Sequence, residues 1–163
     1  MGDAVYGEGE TDLETVVAEQ LLQKQLTLAV AESCTGGMIA SKLVEYPGIS
    51  AALVEGCVTY SNEAKMHRLG VKAETLEKYG AVSEETAKEM AEGIARTSGA
   101  DIGLATTGVA GPESSEGKPV GLVYIAVAYK GKRRYTPAIC RKAEQNQRTC
   151  GIYCAESAEE GNQ

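Results

Sequence analysis

Short apolar runs alternate with helix-like segments along most of the chain. Three runs, "LTLAVA" at 26–31, "ALVEGCVTY" at 52–60 and "DIGLATTG" at 101–108, contain β-branched residues and predict buried strands. The segment 36–46 and the segment that follows Ser83 carry apolar residues at helical spacing. This alternation favours a sheet with parallel strands and helices packed on its faces.

A final apolar stretch adds a hairpin to this pattern. Residues 121–139, "GLVYIAVAYKGKRRYTPAI", predict two strands joined at Lys130-Gly131-Lys132, with glycine at the turn. The predicted fold is therefore α/β: a three-layer α/β/α arrangement with a mixed, largely parallel sheet and a late β-hairpin. The length of 163 residues suits one domain, which we expect to span residues 10–139.

The two ends of the chain differ from this domain. Residues 1–9 are small and acidic, so we expect a disordered tail there. Residues 140–163 contain three of the five cysteines and show no sustained helical stripe. This composition predicts an atypical tail.

Charge and residue usage argue against several classes of protein. A formal charge of -7 opposes the phosphate contacts that a nucleic-acid partner requires. No apolar run approaches the roughly 20 residues of a membrane span, so we expect no membrane partner. An odd number of cysteines without framework spacing is typical of reduced thiols in a cytoplasmic protein. Because His67 is the only histidine, we expect no metal site, and we expect no cofactor.

In the segment "VAESCTGGMIASKL", residues 30–43, small polar residues lie between a predicted strand and a predicted helix. Backbone N–H groups at a helix start attract anions, and Gly36 and Gly37 would let a phosphate approach. Ser33 and Thr35 could add hydroxyl donors. The spacing matches neither the P-loop nor the dinucleotide-binding fingerprint, so an ordinary capped turn remains the equal alternative.

A second glycine-rich segment, "GVAGPESSEGKPVG" at 108–121, follows the third predicted strand directly. Ligands of open α/β sheets bind at the carboxyl ends of strands. We therefore expect Thr107, Gly108 and Gly111 to lie near the site. Residues 113–117 are predicted to form an exposed flap, since turn formers dominate there.

Lys65 is a candidate base because it lies in the first turn of the predicted helix 61–70. The helix dipole disfavours a positive charge at that position, and burial would also lower the lysine pKa. A nearby serine would then complete a Ser-Lys pair. The alternative is a solvated helix lysine whose charge Glu63 offsets. Cys34 is interpreted as a buried small hydrophobe and His67 as an exposed side chain.

Four blocks together resemble the C-terminal domain of the CinA family. They are "AESCTGG", "GISAALVEGCVTYSNEAK", "GAVSEETAKEMAEG" and "TGVAGPESSEGKPVG", and they stay in register from roughly residue 10 to 130. Some members of that family are nicotinamide mononucleotide deamidases. The resemblance implies a pyridine mononucleotide substrate and hydrolysis of its carboxamide to nicotinate mononucleotide and ammonia, by a Ser/Lys mechanism without metal.

By position, the resemblance implies that Ser50 is the nucleophile and Lys65 the base. Tyr60 falls on the family's active-site tyrosine, and Ser33 and Thr107 fall on its other site hydroxyls. Ser33 is the alternative nucleophile, because it too ends a strand beside a helix start. Residues 33–37 would form one wall of the pocket, and the glycines of 33–37 or 108–111 would face the phosphate.

The resemblance also implies a homo-oligomer. The resemblance does not extend into the predicted tail at 140–163. The arginine-bearing turn and terminal amphipathic helix of the family are not recognisable after residue 140, which predicts a tail that is out of frame or replaced. The second functional interpretation is a non-catalytic nucleotide-binding or regulatory module, since the family's domain also occurs fused to another domain. A third is a structural domain whose glycine loop has no ligand.

Overall fold

A computed structural model describes residues 12–129 and the backbone of strand residues 138–140. Five helices and five strands are present in this part of the chain, with one 3₁₀ turn at Ile49–Ala51 and one π-helical turn at Lys65–Leu69. The helices are α1 (Leu13–Lys24), α2 (Met38–Val44), α3 (Asn62–Ala64), α4 (Ala73–Tyr79) and α5 (Glu84–Ser98). The strands are β1 (Leu28–Glu32), β2 (Leu53–Val58), β3 (Ile102–Gly108), β4 (Val123–Tyr129) and β5 (Ala138–Cys140).

The strands form one mixed sheet in the order β2-β1-β3-β4-β5. β1 pairs in parallel with both β2 and β3, whereas β4 pairs antiparallel with β3 and β5. The predicted α/β class is confirmed, and so is the antiparallel pairing of the last two strands. The predicted turn at 130–132 and the predicted tails lie outside the described residues, apart from the backbone of Cys140.

The core has two halves, one on each face of the sheet. β1 is buried along its whole length and sends Leu28 and Val30 to one face, Ala29 and Ala31 to the other. Helices α1 and α2 cover the first face, and α5 covers the second. This is why "LTLAVA" is apolar without alternation: β1 is an interior strand of the sheet, covered on both faces by helices. No helix among the described residues is long and apolar enough to cross a membrane.

Helix α5 is the main support of the second face. Ser83 caps its start by accepting a hydrogen bond from the Thr86 N–H at 3.2 Å, and two glutamates occupy its first turn. Gly93 lets the helix approach the π-helical turn closely, because a Cβ there would lie 2.1 Å from the Leu69 carbonyl oxygen. Arg96 donates from Nη2 to the same oxygen at 2.8 Å. The turn is therefore fixed against α5 by both packing and a hydrogen bond.

We expect Gly93→Ala to destabilise the protein. In a helix interior this change normally stabilises by about 0.5–1 kcal/mol, but here the methyl group would overlap the Leu69 carbonyl, at a cost of roughly 1–3 kcal/mol. Urea unfolding should show a lower midpoint than wild type. Glu92→Ala, one residue away in the same helix, is the control and should change stability by less than about 0.5 kcal/mol. A Gly93→Ala midpoint above that of wild type would contradict the close packing.

Candidate active site

A pocket of about 250 Å³ opens at the edge of the sheet where β1, β2 and β3 end. Parallel strands deliver their carboxyl ends to one edge, so segments far apart in sequence meet there. The lining comes from four segments: Ser33 with Cys34, Tyr60 with Lys65, Ala81 with Val82, and residues 107–111 with Glu113, Ser115 and Glu116.

The side chain of Lys65 is the best-defined group in this pocket. Its Nζ lies 3.1 Å from Ser33 Oγ, 2.9 Å from the Thr59 carbonyl oxygen and 3.0 Å from the Tyr60 carbonyl oxygen. Lys65 as a whole is only 1% exposed. Burial lowers the pKa of Lys65 from its usual value, against smaller opposing effects of Cys34 and Glu116. Burial therefore shifts this amine toward its neutral form relative to a free lysine.

The three neighbours of this amine also determine where its lone pair points. A backbone carbonyl can only accept hydrogen bonds, so the oxygens of Thr59 and Tyr60 each require an N–H from Lys65. A neutral amine has two such hydrogens and one lone pair. In the neutral form, with both hydrogens donated to the carbonyls, the lone pair faces the third neighbour, the Ser33 hydroxyl; in the charged form the third N–H donates to Ser33 Oγ at 3.1 Å. The neutral form is the one in which this amine could accept the Ser33 proton.

The local sequence explains why Lys65 points inward. Ser61 caps α3 by accepting from the Ala64 N–H at 3.1 Å, and the chain then widens into the π-helical turn. This turn buries Lys65 and Leu69 together and leaves His67 exposed, as predicted for that histidine. The sequence predicted one helix over 61–70, and the wider turn was not foreseen. Such turns are common at functional sites because they redirect one side chain.

The structure does not bring Ser50 and Lys65 of one chain together, so the geometry gives the predicted Ser50–Lys65 pair no support. Ser50 is exposed in the 3₁₀ turn that precedes β2, whereas Lys65 follows the end of the same strand. The six residues of β2 separate them by about 3.3 Å per residue, which puts them at opposite ends of the strand. Ser33, the alternative nucleophile, is the serine beside the lysine.

The helix start in the predicted anion site at residues 33–37 is already occupied by a side chain of the protein. Glu32 accepts hydrogen bonds from the backbone N–H groups of Gly37 at 2.9 Å, Ile39 at 3.2 Å and Ala40 at 2.9 Å. The predicted ligands Thr35, Gly36 and Gly37 do not line the pocket. The Thr35 hydroxyl instead shares a hydrogen bond of 2.8 Å with Thr106.

The opposite wall is formed by the glycine loop after β3. Thr107, Gly108 and Gly111 all line the pocket, where the sequence placed them. The Thr107 hydroxyl donates to the Ala81 carbonyl oxygen at 2.7 Å, so its proton is used to hold the neighbouring wall. Gly111 adopts φ +96°, and a Cβ there would lie 2.7 Å from Val120. Only glycine fits this bend without strain.

The predicted flap at 113–117 is exposed, but it is also fastened to the pocket wall. Glu116 accepts from the N–H groups of Ala81 at 2.9 Å and Val82 at 3.2 Å. Burial raises its pKa, but these two bonds and the nearby Lys118 outweigh burial and lower the pKa of Glu116. Its carboxylate passes so close to Gly80 that a Cβ there would lie 2.2 Å from Oε2.

Tyr60 and Cys34 complete the lining with different roles. Tyr60 is 75% exposed, so its ring stands at the mouth of the pocket while its carbonyl holds Lys65. Burial raises the pKa of the Cys34 thiol to about 11, which keeps it protonated at neutral pH. Cys34 is therefore a poor nucleophile, in agreement with its interpretation as a small hydrophobe. No group of three metal-ligating side chains occurs among the described residues.

Sequence reasoning missed Glu32 and the two carbonyls that hold Lys65. Backbone acceptors leave no trace in residue identity, so Thr59 and Tyr60 could not be recognised in that role. Glu32 did leave a signal: an acidic residue ends an apolar strand shortly before a helix whose N-cap position is a glycine. Gly37 offers no side chain to cap α2, so another residue has to satisfy the N–H groups there.

Comparison with known proteins gives consistent results. A competence-damage inducible protein of Clostridium acetobutylicum, so named provisionally, is 62% identical over 129 residues, which is 78% of this chain and 31% of the relative. One from Clostridioides difficile is 61% identical over 132 residues, 80% of this chain and 32% of the relative. The chain thus spans about a third of the length of these curated relatives.

Solved structures of CinA superfamily proteins have the same fold. One from Klebsiella pneumoniae 700603 has a TM-score of 0.85 and 37% identity, covering 91% of this chain and 96% of that chain. One from Escherichia coli has a TM-score of 0.81 and 34% identity, covering 97% of this chain and 95% of that chain. The family model described as the CinA C-terminal domain matches residues 10–157. This chain belongs to the CinA C-terminal domain family.

Proposed function

We propose that this chain is an amidohydrolase that converts nicotinamide mononucleotide to nicotinate mononucleotide and ammonia by a Ser/Lys mechanism. The observation that carries the reaction type is the contact between Lys65 Nζ and Ser33 Oγ at 3.1 Å inside a pocket. The choice of substrate rests on the family resemblance. A volume of about 250 Å³ lies just below the usual range of roughly 300–1,000 Å³ for ligand pockets, so it suits the pyridine carboxamide end of the nucleotide.

The proposed first half-reaction forms an acyl-enzyme. Neutral Lys65 takes the Ser33 proton, and the serine oxygen attacks the carboxamide carbon to give a tetrahedral intermediate. Lys65, now charged, returns the proton to the nitrogen as the C–N bond breaks, and ammonia leaves. The ester on Ser33 is then attacked by water, with Lys65 again accepting the proton and returning it to Ser33.

The developing oxyanion needs hydrogen-bond donors. The Thr107 hydroxyl proton already goes to the Ala81 carbonyl, and the Gly37 N–H already goes to Glu32. In the 108–111 loop the Val109 N–H donates to the Leu122 carbonyl oxygen at 2.8 Å, so the N–H groups of Ala110 and Gly111 would serve either the oxyanion or the substrate phosphate. Among the pocket-lining residues that the structure describes, Lys65 is the only lysine or arginine.

The second candidate is a non-catalytic nucleotide-binding or regulatory module. The observation that favours it is that this chain matches only about a third of its longer relatives. It predicts that nicotinamide mononucleotide raises the melting temperature without any release of ammonia. A cytoplasmic location and a homo-oligomeric assembly are part of the amidohydrolase proposal and stay predictions.

Three variants test the assignment of the pair. In an ammonia-coupled assay with nicotinamide mononucleotide, we expect Ser33→Ala and Lys65→Met each to lower kcat/KM by at least about 10³-fold, since each removes one half of the nucleophile-base unit. Ser50→Ala should retain wild-type turnover, because Ser50 lies at the far end of β2. If Ser50→Ala loses turnover while Ser33→Ala stays fully active, Ser50 is the nucleophile and the assignment of Ser33 is wrong.

The pH profile provides a separate test of the base. Because burial lowers the pKa of Lys65 below that of free lysine, the neutral form is populated at lower pH than usual. The rate should be lost as pH falls through this lowered pKa, and kcat/KM should rise and then level off below the pH where free lysine titrates. Lys65→Arg, which keeps a permanent positive charge, should be inactive at every pH. A pH profile that shows no loss of rate at low pH, or an active Lys65→Arg variant, would rule out a lysine base.

A further inference from the structure

We propose that Glu32 is a positioning residue for the Ser33–Lys65 pair: its buried carboxylate locks the turn that carries the nucleophile and keeps anions out of the start of α2. The inference rests on the proposed function and adds a residue with no role in the chemistry of that mechanism. Glu32 directly precedes Ser33, and it is 1% exposed.

The hydrogen bonds of the Glu32 carboxylate close a loop of the chain that contains Ser33. Oε2 accepts from the N–H groups of Gly37 and Ile39, and Oε1 accepts from that of Ala40. These bonds join the side chain of Glu32 to the backbone five to eight residues later, so Ser33 lies within the loop they close. In most helices the side chain of the N-cap residue accepts hydrogen bonds from the first N–H groups. The N-cap residue of α2 is Gly37, which has no side chain to do so. Capping from the strand end ties strand, turn and helix together.

The backbone of Glu32 reaches the other member of the pair. Its carbonyl oxygen accepts from the Thr59 N–H at 2.8 Å, and the Thr59 carbonyl oxygen in turn accepts from Lys65 at 2.9 Å. Ser33 is held next to this junction because its N–H donates to the Thr106 carbonyl oxygen at 3.1 Å. Glu32 is therefore connected to Ser33 directly through the chain and to Lys65 through one intermediate residue, Thr59.

The negative charge also decides what can bind at this end of α2. Three N–H groups at a helix start attract an anion, and here they are already satisfied from within the protein. The N–H groups of Gly37, Ile39 and Ala40 are consequently not available to a substrate phosphate or carboxylate, which cannot pull the serine loop out of place through them. Removing the carboxylate would free these donors and leave a small polar cavity of matching shape.

The test compares Glu32→Gln, Glu32→Asp and Glu32→Ala in two assays, with rates expressed per folded molecule from circular dichroism. The assays are ammonia release from nicotinamide mononucleotide and acylation of Ser33 by p-nitrophenyl acetate. We expect kcat to fall about 10–100-fold in each variant with a smaller change in KM, as when a reacting group is displaced by about 1 Å. Glu32→Asp keeps the charge but is too short to reach all three N–H groups, so it separates position from charge.

Chemical rescue gives a readout that a purely structural role would not move. Formate has the shape and charge of the missing group, so it should restore part of the kcat of Glu32→Ala. Formamide at the same concentration has similar shape without charge and should not. Glu89→Gln is the matched control, because Glu89 also accepts from a backbone N–H at a helix start, that of Lys72 at 2.8 Å, but does not line the pocket. It should lose stability and keep wild-type kcat.

The outcomes separate the two proposals. Wild-type kcat in Glu32→Gln, or losses that only track the folded fraction, would overturn the positioning role. If the wild type is acylated by p-nitrophenyl acetate but releases no ammonia from the nucleotide, the proposed substrate is wrong and the acylation rates still test Glu32. A wild type inactive in both assays would overturn the hydrolytic function and this inference together.

Discussion

The arrangement at the carboxyl edge of the sheet depends on one buried amine. A lysine inside a protein is tolerated when its charge is lost or its hydrogens are matched by acceptors. For Lys65, burial lowers the pKa toward the neutral form, and two backbone carbonyls accept its hydrogens. These two hydrogen bonds fix the amine 3.1 Å from Ser33 Oγ. The position of the amine beside the serine is thus set by the backbone of residues 59–60.

The fold provides that site by bringing together segments that are distant in sequence. β1, β2 and β3 run in the same direction and end at one edge, which places Ser33, Tyr60 and Thr107 around a common space. The hairpin strand β4 then extends the sheet and leaves the loop 108–121 free to form the outer wall. Glu116 and Thr107 fasten this wall to residues 81–82. Two walls of the pocket are therefore hydrogen-bonded to each other.

The sequence predicted those parts of the structure that depend on local pattern. β1 and β3 are buried as expected from their apolar runs, and the late hairpin pairing follows from apolar runs and glycine. The run 52–60 was expected to be buried too, but β2 is the edge strand, and its residues alternate between half-buried and exposed. Sequence left open whether Lys65 is solvated or buried, because that depends on tertiary packing. Ser50 and Lys65 are near one another in sequence, yet the whole of β2 lies between them. At 33–37, an anion site and a turn capped by the protein's own Glu32 have the same small residues and glycines, so sequence could not distinguish them.

The close fit of α5 against the π-helical turn has a consequence for how this protein would lose function on heating. Many enzymes carry a reacting group on a surface loop that melts well before the body of the domain. Here the π-helical turn that carries Lys65 packs against α5, and the carbonyl of Leu69 contacts the helix at Gly93. This turn cannot lose its packing without separating from α5. Thermal inactivation and cooperative unfolding would then be a single event.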